Sequence, residues 1–170
     1  MKNKLSISLS ILLCLVLLTV SVGSTLAQEE QGGTLTVALN SDVSNFDPHT
    51  NQLVNSFYIK YNVFDTLVRF NDKMEIEPEL ATSWEWVDDT SLRMNIRDDV
   101  VFHNGEELTA EDVKFTFDRV LNPDTGSFLK AYFETIENIE VKDETTVLFE
   151  FAHPNPHFLA DLDALSIVNK

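Results

Sequence analysis

The chain has 170 residues, is 44% hydrophobic and 24% charged, and carries 28 acidic against 12 basic side chains for a formal charge of −16. These fractions fit an ordinary globular protein and exclude a disordered or collagen-like chain. The charge has the wrong sign for nucleic acid, the five glycines are never arranged as a phosphate loop, and one cysteine excludes an intrachain disulfide or a cysteine-only zinc site.

Residues 1–27 read as a secretory signal. Lys2 and Lys4 give a positive start, Leu9 to Val22 is almost wholly apolar, and Thr25-Leu26-Ala27 suits a signal peptidase that cuts before Gln28. The alternative is a membrane anchor, since Ile7 to Leu26 is nearly long enough to span a bilayer. The polar, acidic stretch that follows favours cleavage. Cys14 follows Leu13 and precedes further apolar residues, so it lacks the setting of a lipidation site. Cleavage removes two lysines and no acid, leaving a still more acidic chain. That excess reads as solubility; a preference for cationic ligands would require acids gathered around one pocket.

Residues 28–33 form a polar lead-in. Thr34 to Leu39 alternates polar and apolar residues with β-branched content, which predicts a strand. A polar turn-rich stretch, Asn40 to Asn45, runs into Phe46-Asp47-Pro48-His49, where Pro48 shapes the loop. Phe57, Tyr61, Phe64 and Val68 then fall on one face of a helix between Asn55 and Phe70, and that aromatic stripe reads as core. Asn71-Asp72 makes a turn. A strand pair follows Pro78, joined at Asp88-Asp89-Thr90, with Trp84 and Trp86 on one face and Leu92, Met94 and Ile96 on another.

His103-Asn104-Gly105 ends a short apolar run. Thr109-Ala110-Glu111-Asp112 has the form of a helix N-cap with an acid at N3, and Val113, Phe117, Val120 and Leu121 keep helical spacing up to Asn122-Pro123. A helix from Ala110 to Leu121 is predicted. A short helix is expected within Gly126 to Phe133, then a hairpin of 139–141 with 147–151 around Lys142-Asp143-Glu144. Phe158 to Leu165 starts another helix, and Ser166 to Asn169 has strand character.

No catalytic set is visible. His153 and His157 are separated by Pro154 and Pro156, so no regular helix presents them jointly to a metal. His49 and His103 fall in loops without a neighbouring Cys or carboxylate at ligand spacing. The adjacent acids Asp88-Asp89, Asp98-Asp99 and Glu106-Glu107 point to opposite faces if in strands, which is wrong for a paired acid and base. No nucleophile elbow is present.

The order of segments is more specific than any one of them. A signal precedes Gly33-Thr34-Leu35-Thr36-Val37-Ala38, Phe46-Asp47-Pro48-His49, Phe64-Asp65-Thr66-Leu67-Val68-Arg69-Phe70 and Pro78-Glu79-Leu80-Ala81-Thr82-Ser83-Trp84. Leu92 to Arg97, Phe102-His103-Asn104-Gly105 and Leu108 to Val113 follow in turn. This series closely resembles the start of family 5 extracellular solute-binding proteins, the peptide- and nickel-binding components of ABC transporters.

The resemblance implies an α/β, periplasmic-binding-protein-like fold of class II, a two-lobed clamshell. Residues 34–170 would be the N-terminal, incomplete part of the first lobe, a mixed sheet plus helices, because family members are several hundred residues long. It implies an extracytoplasmic, non-enzymatic carrier for oligopeptides or dipeptides. Nickel, another small solute, or service as a ligand sensor for a membrane receptor are the alternatives. A membrane permease is the implied partner, with no cofactor, no metal, no nucleic acid, and a monomeric state at full length. The ligand cleft is expected to involve Asp42, Val43, Ser44 and Asn45 after the first strand, and Phe128 and Tyr132 after the capped helix. The family's acidic anchor for a peptide amino terminus lies beyond Lys170.

Overall fold

The computed structural model describes residues 33–39, 41–43 and 45–170. The signal, its cleavage site, Cys14 and Ser44 lie outside the described residues. Two compact units are distinguished, Met1–Ala38 and Leu39–Lys170. In the first, residues 33–38 carry no strand pairing among the described residues, and Leu35 and Val37 are exposed. The strand expected over 34–39 is therefore not formed there. Alternation marks a segment fit to be a strand, but only a neighbouring backbone can satisfy its N–H and C=O groups.

The second unit opens with the loop to Asn51 and helix α1 (Val54–Val63). Its buried residues are Asn55, Ser56 and Lys60, while Val54, Tyr58 and Tyr61 are exposed. Of the expected stripe, Val68 is buried, Phe57 and Phe64 are half-buried and Tyr61 is exposed, so within the helix the most buried side is polar rather than aromatic, and the helix stops well short of Phe70. Two causes are visible. Asn55 Nδ2 donates to Ser41 (2.9 Å to O, 2.6 Å to Oγ) and Lys60 Nζ donates to the Ala164 carbonyl at 2.7 Å, so the polar side has partners inside the fold. Beyond Phe64 the backbone is drawn into β pairing: Thr66 bridges Ser166, and Ile167 N–H donates to the Asp65 carbonyl at 2.9 Å.

Strands β1 (Val68–Phe70) and β2 (Ile76–Pro78) pair antiparallel. The turn between them is held by the Asn71 carboxamide oxygen, which accepts from the amides of Lys73 and Glu75. A four-stranded antiparallel sheet follows, in the order β3 (Ala81–Asp88), β4 (Ser91–Ile96), β6 (Thr146–Phe151), β5 (Ile136–Asp143). Trp84 faces Met94 and Trp86 faces Leu92 across the ladder. Residues directly opposite share a face, so the tryptophans lie on the same side as Leu92 and Met94, not on a separate one. Leu92 and Met94 in turn pair with Phe149 and Val147, which builds one continuous apolar face.

Helix α2 spans Ala110–Leu121, as its cap, spacing and Pro stop predict. The Thr109 amide and hydroxyl both donate to Asp112 Oδ2, at 2.9 and 2.7 Å. Phe117 on its inner face sits edge-on to Phe133 (5.2 Å between centroids) and Phe149 (5.0 Å). Phe158 closes the cluster against Phe151 at 4.7 Å. After α2, a 3₁₀ turn at Pro123–Thr125 ends at Gly126, whose φ of 66° is left-handed and favours glycine. That break delays α3 to Lys130–Phe133, shorter than the helix expected from Gly126. The helix expected over 158–165 divides into α4 (Phe158–Asp161) and a 3₁₀ turn, Leu162–Ala164. Of the strand expected over 166–169, the described pairing is the single Ser166 bridge. No helix among the described residues is long and apolar enough to cross a membrane.

Candidate functional site

The loop before α1 is built from short polar side chains that hold their own backbone. Asp47 N–H donates to Asn45 Oδ1 (3.0 Å), Asn51 Nδ2 to the Asn45 carbonyl (2.8 Å) and Leu53 N–H to Asn51 Oδ1 (3.0 Å). Pro48 then turns the chain inward and places His49, fully buried, between α2 and the C-terminal segment. His49 Nδ1 lies 2.6 Å from Arg119 Nη1, and Nε2 lies 2.8 Å from the Ser166 carbonyl. A guanidinium only donates and a carbonyl only accepts, so the imidazole is the neutral, Nε2-protonated tautomer. Burial lowers its pKa below the ordinary value; the Ser166 carbonyl opposes this, and the charges of Arg119 and Lys60 reinforce it.

Arg119, in the last turn of α2, also grips Asp47 with Nη2–Oδ2 at 2.6 Å and Nη1–Oδ1 at 3.3 Å. Burial works to raise the Asp47 pKa. The hydrogen bonds from Arg119 and the His49 amide, with the charge of Arg119, outweigh it and hold the carboxyl below its usual range. Ser127 Oγ donates to the His49 carbonyl at 3.0 Å and ties in the segment after α2. Sequence reasoning missed this knot. Asp47 and His49 stood in a loop already marked as shaped, but their partner is some 70 residues away on another element. The one available signal was a cation placed at the inner end of α2.

The expected ligand residues fall into two groups. Asp42 is exposed, and its Oδ1 accepts the Val43 amide at 2.8 Å. Val43 is half-buried and, with Asn45, lines a narrow cleft that reaches Ser56, Lys60 and Phe64. Phe128 is half-buried against the core and Tyr132 is 51% exposed on α3. Neither lines that cleft. The Ser127–His49 hydrogen bond ties the residue before Phe128 to the loop, but it involves none of the candidates themselves.

Lys60 is among the residues that line the narrow cleft. Its ammonium stands 5.3 Å from the centre of the Phe57 ring and 5.7 Å from that of Tyr61. Burial lowers its pKa and the carboxylate of Asp163 works against this. A second, mostly apolar cavity of about 280 Å³ lies between the end of α1, the 100–104 run and residues 167–169. His103, His153 and His157 are exposed, and no cluster of three or more His, Cys, Asp or Glu among the described residues could hold a metal. His49 has both ring nitrogens engaged inside the fold, so it is a structural group rather than a base open to substrate.

The family model described as bacterial extracellular solute-binding proteins, family 5 Middle, matches residues 75–170. The chain therefore belongs to the family 5 bacterial extracellular solute-binding proteins. A putative ABC transporter peptide-binding protein of Brucella ovis is 37% identical over 100 residues, 58% of this chain and 19% of its own length. The oligopeptide-binding protein AppA of Bacillus subtilis is 28% identical over 143 residues, 83% of this chain and 26% of its own. The solved structure of AppA with a nonapeptide superposes with a TM-score of 0.69 at 28% identity, over 74% of this chain and 25% of that one. The binding protein AgaA of Agrobacterium tumefaciens R10, solved with agropinic acid, gives a TM-score of 0.70 at 27% identity, over 75% and 26%. The chain thus spans about a fifth to a quarter of the relatives it matches.

Proposed function

We propose that this chain is the N-terminal part, residues 34–170, of the first lobe of an extracytoplasmic substrate-binding component of an ABC transporter for oligopeptides or dipeptides. The single observation that carries this reading is the match to AppA, which spans 83% of the chain in sequence and was solved around a nonapeptide. Residues 1–27 act as the cleaved signal that takes the protein out of the cytoplasm, without lipidation. The protein works as a monomer at full length, binds and releases without a chemical step, and hands its ligand to a membrane permease.

The local geometry suits such a role. A binding cleft works best when its backbone is held before the ligand arrives, because ordering is then not charged against affinity. Ser41 is held by Asn55 and Asn45 by Asn51, and the Asp47–Arg119–His49 knot fixes the far end of the loop. Asp42 and Asn45 offer polar atoms to a peptide main chain, Ser44 belongs to the same stretch, and Val43, Phe128 and Tyr132 offer apolar surface. A small organic acid is the second reading, favoured by the structure of AgaA with agropinic acid.

Isothermal titration of the full-length protein with peptides of two to nine residues tests the assignment. Tyr132→Ala is expected to weaken peptide binding about tenfold, in the range of one truncated contact residue, with the melting temperature unchanged. Unchanged affinity with unchanged stability removes Tyr132 from the site.

A further inference from the structure

The β3–β4 turn and the loop after β6 form the two walls of an open groove with a volume of about 580 Å³. One wall carries Trp86, Asp88 and Asp89; the other carries Pro154 and Pro156, with Leu159 at the base. Both walls are fixed. Asp88 Oδ1 accepts from the Thr90 amide (2.8 Å) and hydroxyl (3.1 Å), which sets the turn. Asn155 donates to Thr135 Oγ1 (3.0 Å) and accepts from the His157 amide (3.1 Å), which sets the loop. The Phe151 amide joins the walls at the Thr90 carbonyl, 2.9 Å away.

Trp86 is 40% exposed although its ring packs on Phe151 at 5.7 Å. One side of the indole is thus backed by the core while the rest is presented to the groove. The charged residues lining the groove are both acidic, in a chain of net charge −16. An indole accepts a cation over its ring, most strongly where water is displaced, and two carboxylates beside it raise the local preference for positive charge.

We propose that this groove docks a basic segment of a protein partner, a lysine or arginine side chain lying over Trp86 between Asp88 and Asp89 with its neighbours along Pro154 and Pro156. The site is separate from the residues assigned to the transported ligand and does not depend on that assignment. Charge complementarity selects the occupant: a neutral proline-rich segment would use the Trp and Pro surfaces but would leave the two acids unanswered.

The test titrates hexa-arginine into the full-length protein at low and moderate salt. The double variant Asp88→Asn/Asp89→Asn, which keeps the turn's acceptor atoms, is expected to bind about tenfold more weakly. Trp86→Phe, which keeps an aromatic ring on Phe151, should weaken binding several-fold. The control Asp72→Asn/Glu107→Gln removes as much charge from exposed positions elsewhere and should bind as the parent does. Equal losses in the control and the groove variant would reduce the effect to net charge and overturn the proposal. Unchanged binding in both groove variants would also overturn it, as would tighter binding of a neutral hexaproline than of hexa-arginine at the same groove.

Discussion

Asp47, His49 and Arg119 show how a few polar side chains set the path of a loop. Arg119 donates to both neighbours, so its charge is matched by Asp47 and a further N–H is taken by a neutral imidazole. Protonating His49 would place a second N–H and a second positive charge against the guanidinium. Because the folded-state pKa lies below the ordinary 6.5, the unfolded chain binds this proton more readily. Stability is then complete above pH 6.5 and is lost as the pH falls toward the lowered folded value. Urea midpoints measured between pH 8 and pH 5 should decline, and the decline should flatten in His49→Gln. That variant is also expected to be less stable at pH 8 by about 1–3 kcal/mol, through the buried partners left unpaired. An identical slope in the variant would assign the pH response to other groups.

Among the elements, α2 was the most legible because its signals are local. The Thr109–Asp112 cap, the first-turn acids, the apolar spacing and the Asn122-Pro123 stop all lie within one stretch of chain, and the helix has the predicted ends. The hairpin of β5 and β6 was legible for the same reason. Helix α1 was not: its aromatic stripe has helical spacing, but the side that turns inward is chosen by Ser41 and Ala164, which no local pattern reveals. The strand pairing of Trp84 and Trp86 failed differently, since assigning faces across a hairpin requires the register and not only the alternation within each strand. Phe117 ties α2 to the sheet through Phe149, and to α3 and α4 through Phe133 and Phe158. Phe117→Ala should cost about 3–5 kcal/mol, read from denaturant unfolding. A loss below about 1 kcal/mol would mean that the cluster is not the joint between these layers.

For the whole molecule, family membership came from the order of segments rather than from any functional residue. The match to the family model over residues 75–170 covers the capped helix and the four-stranded sheet, whose patterns are the most regular in the chain. The candidate ligand residues were legible only as positions in that order. Asp42, Val43 and Asn45 are short polar or small side chains in a loop, and nothing in their local pattern separates ligand contact from turn chemistry; the structure adds that the Asn45 carbonyl is held by Asn51 and the Ser41 carbonyl by Asn55. The central claim is that the protein carries peptides. Native mass spectrometry of the protein released from its own cell envelope tests it most directly. The account predicts a population carrying peptide-mass adducts that exchange with added peptide. A bound small organic acid or metal complex in place of peptide, unmoved by peptide in excess, would contradict it.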